Sequence, residues 1–309
     1  MPQESPIYDL IIVGGGPAGL TAGLYARRSR LNTLLIEQLA PGGQVLNTDW
    51  VDNYPGFPEG ISGFDLVDNM RRQAERFELP VINDEIVSLS LQGTTKILHG
   101  NQGTYKTRAL VVATGAVYKK LGVPGEGLLR GKGVSYCATC DGPFFKNQEI
   151  AVVGGGDTAV QEALYLTRFA KKIYLIHRRD RLRAAQILQE KALIHPTILP
   201  VWKTVVEAIL GTDQVEGIRV KTVDGSSGQT IPVQGVFILV GIQPNSDWLK
   251  ETLPLNPEGF IQTDEHLATS VPGIFAAGDV RQKLLRQIST SVGDGATAAF
   301  AAERYLEAL

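Results

Sequence analysis

Short apolar runs alternate with glycine-rich breaks along the chain, and one arrangement of them occurs twice. Tyr8 to Val13 is an apolar run that leads straight into Gly14-Gly15-Gly16-Pro17-Ala18-Gly19. A helical pattern follows from Pro17 to Ser29, then a second apolar run from Thr33 to Ile36, closed by Glu37. The same sequence of events returns as Ile150 to Val153, the loop Gly154-Gly155-Gly156-Asp157-Thr158-Ala159, a helix from Thr158 to Phe169, and a strand from Ile173 to Ile176. Continuous apolar runs of this length are what parallel strands, buried on both faces, require. Strand, glycine loop, helix and strand in that order make the unit that cradles a dinucleotide. Two copies predict an α/β chain built from two Rossmann-like, three-layer (ββα) nucleotide-binding domains.

Ala109 to Ala113 and Gly235 to Val240 are further apolar strands. They end at Thr114-Gly115-Ala116 and at Gly241-Ile242-Gln243-Pro244-Asn245, glycine and proline punctuation that marks boundaries. Alternating stretches from Glu85 to Leu91, Lys96 to His99, Lys203 to Leu210 and Val215 to Thr222 predict antiparallel strands capping each core. After Asn245 come Ile274-Phe275-Ala276-Ala277-Gly278-Asp279, a Gly-Asp-Gly turn and a final helix to Leu306. A tail of about 60 residues is small for a domain of its own. It is expected to rejoin the first domain, giving boundaries at 1–115 with 246–309 and, inserted between, 116–245.

The chain has 309 residues, 43% of them hydrophobic, enough for two globular cores. Its formal net charge of −2 argues against a nucleic-acid partner. No apolar run reaches the roughly 20 residues of a membrane span. Met1 to Ile7 is mostly polar, with no basic start, apolar stretch or cleavage site, so no secretory leader is expected and the cytoplasm is the expected location. Cys137 and Cys140 are the only cysteines. In a reducing compartment such a pair is catalytic or metal-binding rather than a scaffold. His99, His177, His195 and His266 show no ligand spacing near the pair or each other, and no metal is expected. A two-residue spacer lets two thiols close a small disulfide ring and lowers the pKa of one, which suits thiol–disulfide exchange.

The two loops call for different nucleotides. In the first, Gly14, Gly16 and Gly19 allow a tight turn and close backbone approach, and the helix opening at Pro17 and Ala18 turns its N-terminus to a pyrophosphate. Glu37, about 20 residues on, suits a ribose hydroxyl. Arg30 stands at the end of that helix, where glycine is frequent. In the second copy the loop residues Gly154, Gly156, Asp157 and Thr158 are followed by His177-Arg178-Arg179-Asp180-Arg181-Leu182-Arg183. Cations at that position suit a 2′-phosphate, hence NADPH; the alternative is a solvated basic loop. That leaves FAD for the first copy. Gly278-Asp279 fits, since an acid after a small-residue strand reaches flavin hydroxyls, although taken alone it reads as an ordinary strand-to-turn junction.

The chain resembles the low-molecular-weight thioredoxin reductases from about Tyr8 to Leu306. The resemblance is carried by the first glycine loop, Gly42-Gly43-Gln44, Ala113-Thr114-Gly115-Ala116, Cys137-Ala138-Thr139-Cys140-Asp141-Gly142, the second loop, His177-Arg178-Arg179-Asp180, and Gly278-Asp279 followed by Arg286-Gln287. It implies a homodimeric flavoenzyme that passes electrons from NADPH through FAD to its own disulfide and on to thioredoxin, with the NADPH domain rotating during turnover. By position it makes Cys140 the thiol nearest the flavin, Cys137 the thiol that attacks the protein substrate, and Asp141 the acid that manages the proton; Asp141 also reads as a turn or cap residue. It adds cofactor contacts at Gln38, Gly43, Gln44, Asn53, Ala113, Thr114, Gly115, Gly278, Asp279, Arg286, Gln287 and Ile288. Tyr54 and Phe57 lie in a segment near the flavin in the family, and equally read as core. Two departures stand out. Pro143 occupies a position where an aromatic residue is frequent, and Val280 to Leu285 carries Arg281 and Lys283 where the family is usually acidic.

Three other functions share this pattern in part. A relative fed by ferredoxin would be expected to lose the basic cluster, which is present here. A flavoprotein that feeds a peroxidase would carry an additional N-terminal dithiol domain. A non-catalytic redox sensor would not need both cysteines and the acid.

Overall fold

The structure is a computed structural model and describes residues 6–48 and 50–309; residues 1–5, part of the stretch read for a leader, lie outside it. The chain divides into two compact units, Met1–Val117 with Gln243–Leu309, and Tyr118–Ile242.

In chain order the first unit begins with β1 (Ile7–Val13), α1 (Pro17–Arg28), β2 (Thr33–Glu37), α2 (Gly63–Glu75), β3 (Val81–Asn83), β4 (Ile86–Gln92), β5 (Thr95–Gly100) and β6 (Thr104–Val112). At the crossing lies β7 (Ala116–Tyr118). Then come β8 (Val134–Ser135), α3 (Ala138–Asp141), β9 (Glu149–Val153), α4 (Asp157–Leu166), β10 (Lys172–Ile176), α5 (Gln186–Leu193), β11 (Ile198–Val201), β12 (Thr204–Leu210), β13 (Gly217–Thr222), β14 (Gly228–Pro232) and β15 (Gly235–Ile238). The chain returns through β16 (Ile242–Pro244) and finishes the first unit with β17 (Ile274–Ala276) and α6 (Ile288–Glu307).

In the first unit β3, β2, β1 and β6 lie side by side in parallel. The free edge of β6 is shared: its first half pairs antiparallel with β5, its last residues pair parallel with β17. Alternate residues of β1 and β6 enter opposite cores, as a pleated strand demands. Leu10, Ile12, Ala109 and Val111 meet the helices α1 and α6, while Ile11, Val13, Leu110 and Val112 meet Ile86, Leu89 and Leu98 of β4 and β5. The second unit repeats the plan. Its parallel sheet runs β11-β10-β9-β15-β8, with Ile150, Val152 and Phe237 against α4 and Ala151, Val153 and Val236 against the antiparallel sheet β12-β13-β14. Each unit is therefore a three-layer ββα sandwich.

The Gly-Asp-Gly string expected as a turn before the last helix lies inside α6, which starts at Ile288 and continues past Gly293, Asp294 and Gly295. The reason is packing. A Cβ on Gly295 would collide with the carbonyl oxygen of Ala18, so glycine there lets α6 cross α1 at close range. The second-copy helix also ends earlier than the sequence pattern indicates, at Leu166. α2, α5 and β14 have no counterpart among the sequence expectations.

Arg30 closes α1 in the left-handed region, with φ 63°. The Leu31 N–H bonds the Ala26 carbonyl at 3.1 Å and the Arg30 N–H bonds the Arg27 carbonyl at 3.1 Å, the pair of bonds of a Schellman cap. A side chain in this conformation costs about 1 kcal/mol, which glycine relieves at some entropy cost to the folded state. Arg30→Gly should therefore raise stability by about 0.5–1 kcal/mol, read as a higher Tm in thermal unfolding.

Candidate active site

The two cysteines are joined by a disulfide at the start of α3. Cys137 is the N-cap, and its Sγ accepts the Cys140 N–H at 3.2 Å. Ser135, at the end of β8, fixes the approach: its hydroxyl donates to the Cys137 carbonyl at 3.2 Å and accepts the Cys137 N–H at 3.1 Å. Two half-buried carboxyls flank this loop. Asp141 ends α3; burial raises its pKa, and a hydrogen bond with Ser135 pulls it partly back. Glu162, on α4, accepts the Ala138 N–H at 2.9 Å, and burial raises its pKa as well. A dithiol beside acids whose pKa values burial raises is equipped to give a proton to a departing thiolate. Pro143 follows, exposed, in a short 3-10 turn with the exposed Phe144.

The first glycine loop is as tight as its sequence requires. A Cβ on Gly19 would strike the Gly14 carbonyl. No side chain caps α1, whose N-cap is Gly16 and whose first residues are Pro17 and Ala18. Glu37 reaches the loop from β2: Oε2 accepts the Gly15 N–H at 2.5 Å and Oε1 accepts the Leu39 N–H at 2.9 Å. Gly42-Gly43 lies against the same loop, with the Gly42 N–H on the Gly15 carbonyl at 2.8 Å; Gln38 and Gln44 are exposed nearby in sequence. At the end of β6, Ala113 is buried and Thr114-Gly115 is tied to Asn245: the Thr114 hydroxyl donates to the Asn245 carbonyl at 2.7 Å, and the Asn245 amide to the Thr114 carbonyl at 2.8 Å.

The C-terminal segment belongs to the same unit. Gly278 and Asp279 follow β17, and Gln287 caps α6. Asn53 donates to the Gln287 Oε1 at 2.9 Å, so two residues far apart in sequence meet. The Arg286 guanidinium stacks 4.2 Å from the Phe260 ring centre. Ile288, Tyr54 and Phe57 pack on a small cluster of Val45, Val51, Leu66 and Val67.

In the second unit Gly156 caps α4 without a side chain, and Asp157 accepts the Ala185 N–H at 2.7 Å; Thr158 follows it, exposed, in the first turn. The His177 ring lies against Gly154-Gly155; a Cβ on Gly155 would run into it. Burial lowers the His177 pKa, with the Arg183 and Arg179 charges acting the same way, and its buried Nε2 has no hydrogen-bond partner among the described residues. The Arg183 guanidinium comes within 3.9 Å of where a Cβ on Gly156 would sit. Arg178, Arg179 and Arg183 are exposed, and none is in an ion pair among the described residues.

Residues 8–295 match the family model of pyridine nucleotide-disulphide oxidoreductases. The chain is 50% identical to a thioredoxin reductase of Listeria monocytogenes, over all of this chain and 97% of the relative. It is 47% identical to that of Bacillus subtilis, over 99% of this chain and 97% of the other. The solved thioredoxin reductase of Streptococcus pyogenes superposes with a TM-score of 0.94 at 46% identity, covering 98% of this chain and 99% of that one. The chain belongs to the thioredoxin reductases of this family. As a thioredoxin reductase it is an oxidoreductase that works with a flavin and a pyridine nucleotide. Sequence reasoning passed over three polar residues of this reductase: Ser135, Glu162 and Asp294. Ser135 carried a signal, two places before the first cysteine. Glu162 and Asp294 carried none, because each acts on a backbone N–H remote in sequence.

Proposed function

We propose that this chain reduces thioredoxin with electrons taken from NADPH through FAD and the Cys137–Cys140 disulfide. The observation that carries the reading is that disulfide, held by Ser135 with the half-buried acid Asp141 beside it, in the unit whose glycine loop has the Arg183 guanidinium near it. FAD fits the first unit. Open space faces the N-terminus of α1, since a Cβ on Gly16 would meet nothing closer than the Gly43 Cα, 3.9 Å away. Gly14, Gly16, Pro17, Ala18 and Gly19 would hold its pyrophosphate and Glu37 a ribose. Gln38, Gly43, Gln44, Asn53, the Ala113–Gly115 turn, Gly278, Asp279 and Arg286 to Ile288 would hold the remainder. NADPH fits the second unit, on Gly154, Gly156, Asp157 and Thr158, with His177, Arg178, Arg179 and Arg183 at its 2′-phosphate.

A flavin held by these residues would supply the two electrons, drawn as hydride from NADPH, that reduce the Cys137–Cys140 disulfide. The Cys137 thiolate then attacks a sulfur of the thioredoxin disulfide; one S–S bond forms, another breaks, and a thiolate leaves on thioredoxin. The Cys140 thiolate attacks the Cys137 Sγ, releases the second thioredoxin thiolate and restores the intramolecular disulfide. Asp141, with its raised pKa, gives up and regains the proton that balances these steps. The enzyme acts as a homodimer in the cytoplasm.

An anaerobic stopped-flow titration tests the reading. NADPH should bleach a bound flavin, and oxidised thioredoxin should then restore its colour. Bleaching by reduced ferredoxin alone would transfer the function to the ferredoxin-fed type, and no flavin band at all would end both.

A further inference from the structure

Arg281 and Lys283, the basic residues in a stretch where acids are usual, converge on one carboxylate. Asp294, inside α6, accepts the Lys283 Nζ at 2.8 Å and the Gly278 N–H at 3.0 Å on Oδ2. The Arg281 Nη1 stands 3.4 Å from both of its oxygens, and the Arg281 Nε donates to the Thr263 hydroxyl at 3.0 Å. The side chains of Lys283 and Asp294 are only 7% and 14% exposed. A buried ion pair of this kind contributes little net stability, because desolvation offsets the attraction. What three donors on one acceptor do provide is a fixed geometry, here of the segment Gly278 to Lys283 against α6.

We infer that Asp294 and Lys283 are positioning residues for Asp279: Asp294 holds Gly278-Asp279 in place through the Gly278 N–H, and Lys283, buried against Asp294, is the cation that offsets the negative charge gathered there, so that Asp279 can meet a flavin hydroxyl. The inference rests on the flavin reading of the first unit. Burial pushes the Asp279 pKa up, Lys283 and then Arg286 pull it down, the Ser291 hydroxyl (3.4 Å) helps them, and Asp294 pushes it up again. Without Lys283, only Arg286 and the Ser291 hydroxyl oppose burial and the neighbouring carboxylate. An ionised carboxylate accepts hydrogen bonds roughly twice as strong as a neutral one, so protonation of Asp279 weakens its hold on a hydroxyl.

The test is FAD binding by flavin-stripped protein, followed by fluorescence quenching, with the Tm of each apo variant measured beside it. Asp294→Asn should bind FAD about tenfold more weakly than wild type, by a similar factor at every pH. Lys283→Gln should bind nearly as wild type at about pH 8 and lose affinity as the pH falls towards about 5.5 by a larger factor than wild type does. A merely structural lesion at Lys283 would weaken binding equally across that range. Asp294→Asn within twofold of wild type overturns the inference, as does a pH-independent loss, or no loss, in Lys283→Gln. Should Asp294→Asn fail to fold, Lys283→Gln decides alone, since it leaves the Asp294–Gly278 bond in place. Failure of wild-type apoprotein to bind FAD overturns the flavin reading instead.

Discussion

Cys137→Ser and Cys140→Ser should each lower thioredoxin reduction by on the order of 10³-fold or more, because the two thiols act as a unit and neither completes the exchange alone. The two variants should fail differently. Cys140→Ser keeps the attacking thiol and lacks the resolving one, so it should accumulate thioredoxin as a mixed disulfide on Cys137. Cys137→Ser should form no such adduct. Both should still take hydride from NADPH, since that step precedes the dithiol. The check is mass spectrometry of each variant after incubation with thioredoxin activated as a mixed disulfide. An adduct on Cys140 in place of Cys137 reverses the two roles, and undiminished turnover by either variant removes the dithiol from the mechanism.

Neutralising the second unit's cations should produce the next largest change. Arg178 and Arg179 stand exposed and outside any ion pair among the described residues, at the end of the strand that follows the glycine loop. A hydrogen bond to a charged group is worth about 1.5–3 kcal/mol, so two contacts to a 2′-phosphate give NADPH at least a roughly tenfold advantage over NADH. Arg178→Gln with Arg179→Gln should remove most of that advantage by raising the KM for NADPH, with kcat/KM for NADH little altered. Equal use of both donors by wild type would show that these cations do not read the phosphate.

Where chemistry depends on short spacings, the sequence carried it openly. Gly14 to Gly19 and Gly154 to Ala159 act within one turn, and Cys137 and Cys140 need only the two residues between them. Glu37 was legible for the same reason, since its distance from the loop is set by one helix and one strand. What depends on contacts across the chain was hidden. Gly295 reads locally as part of a turn, and only the carbonyl of Ala18, at the other end of the chain, explains it as a helix crossing. Asp294 looks like its turn partner until Gly278, Arg281 and Lys283 close around it. Glu162 is one of two acids on α4, and its bond to Ala138 is visible only once α4 packs beside α3. The polar strand β14 lacks the apolar alternation that reveals a strand, because Ile231 is its one buried residue.

The interrupted first unit also dictates an order of events at the ribosome. β17 seals the edge of β6, and α6 covers α1, yet both emerge only after the whole of Tyr118–Ile242 has been synthesised. The second unit holds all of its strands and helices in one uninterrupted stretch, so it is able to fold while the nascent chain is still growing. Meanwhile Leu10, Ile12, Ala109 and Val111 wait without the helix that shields them. For that interval the nascent chain exposes an apolar face and an unpaired strand edge, the features that recruit chaperones and promote aggregation.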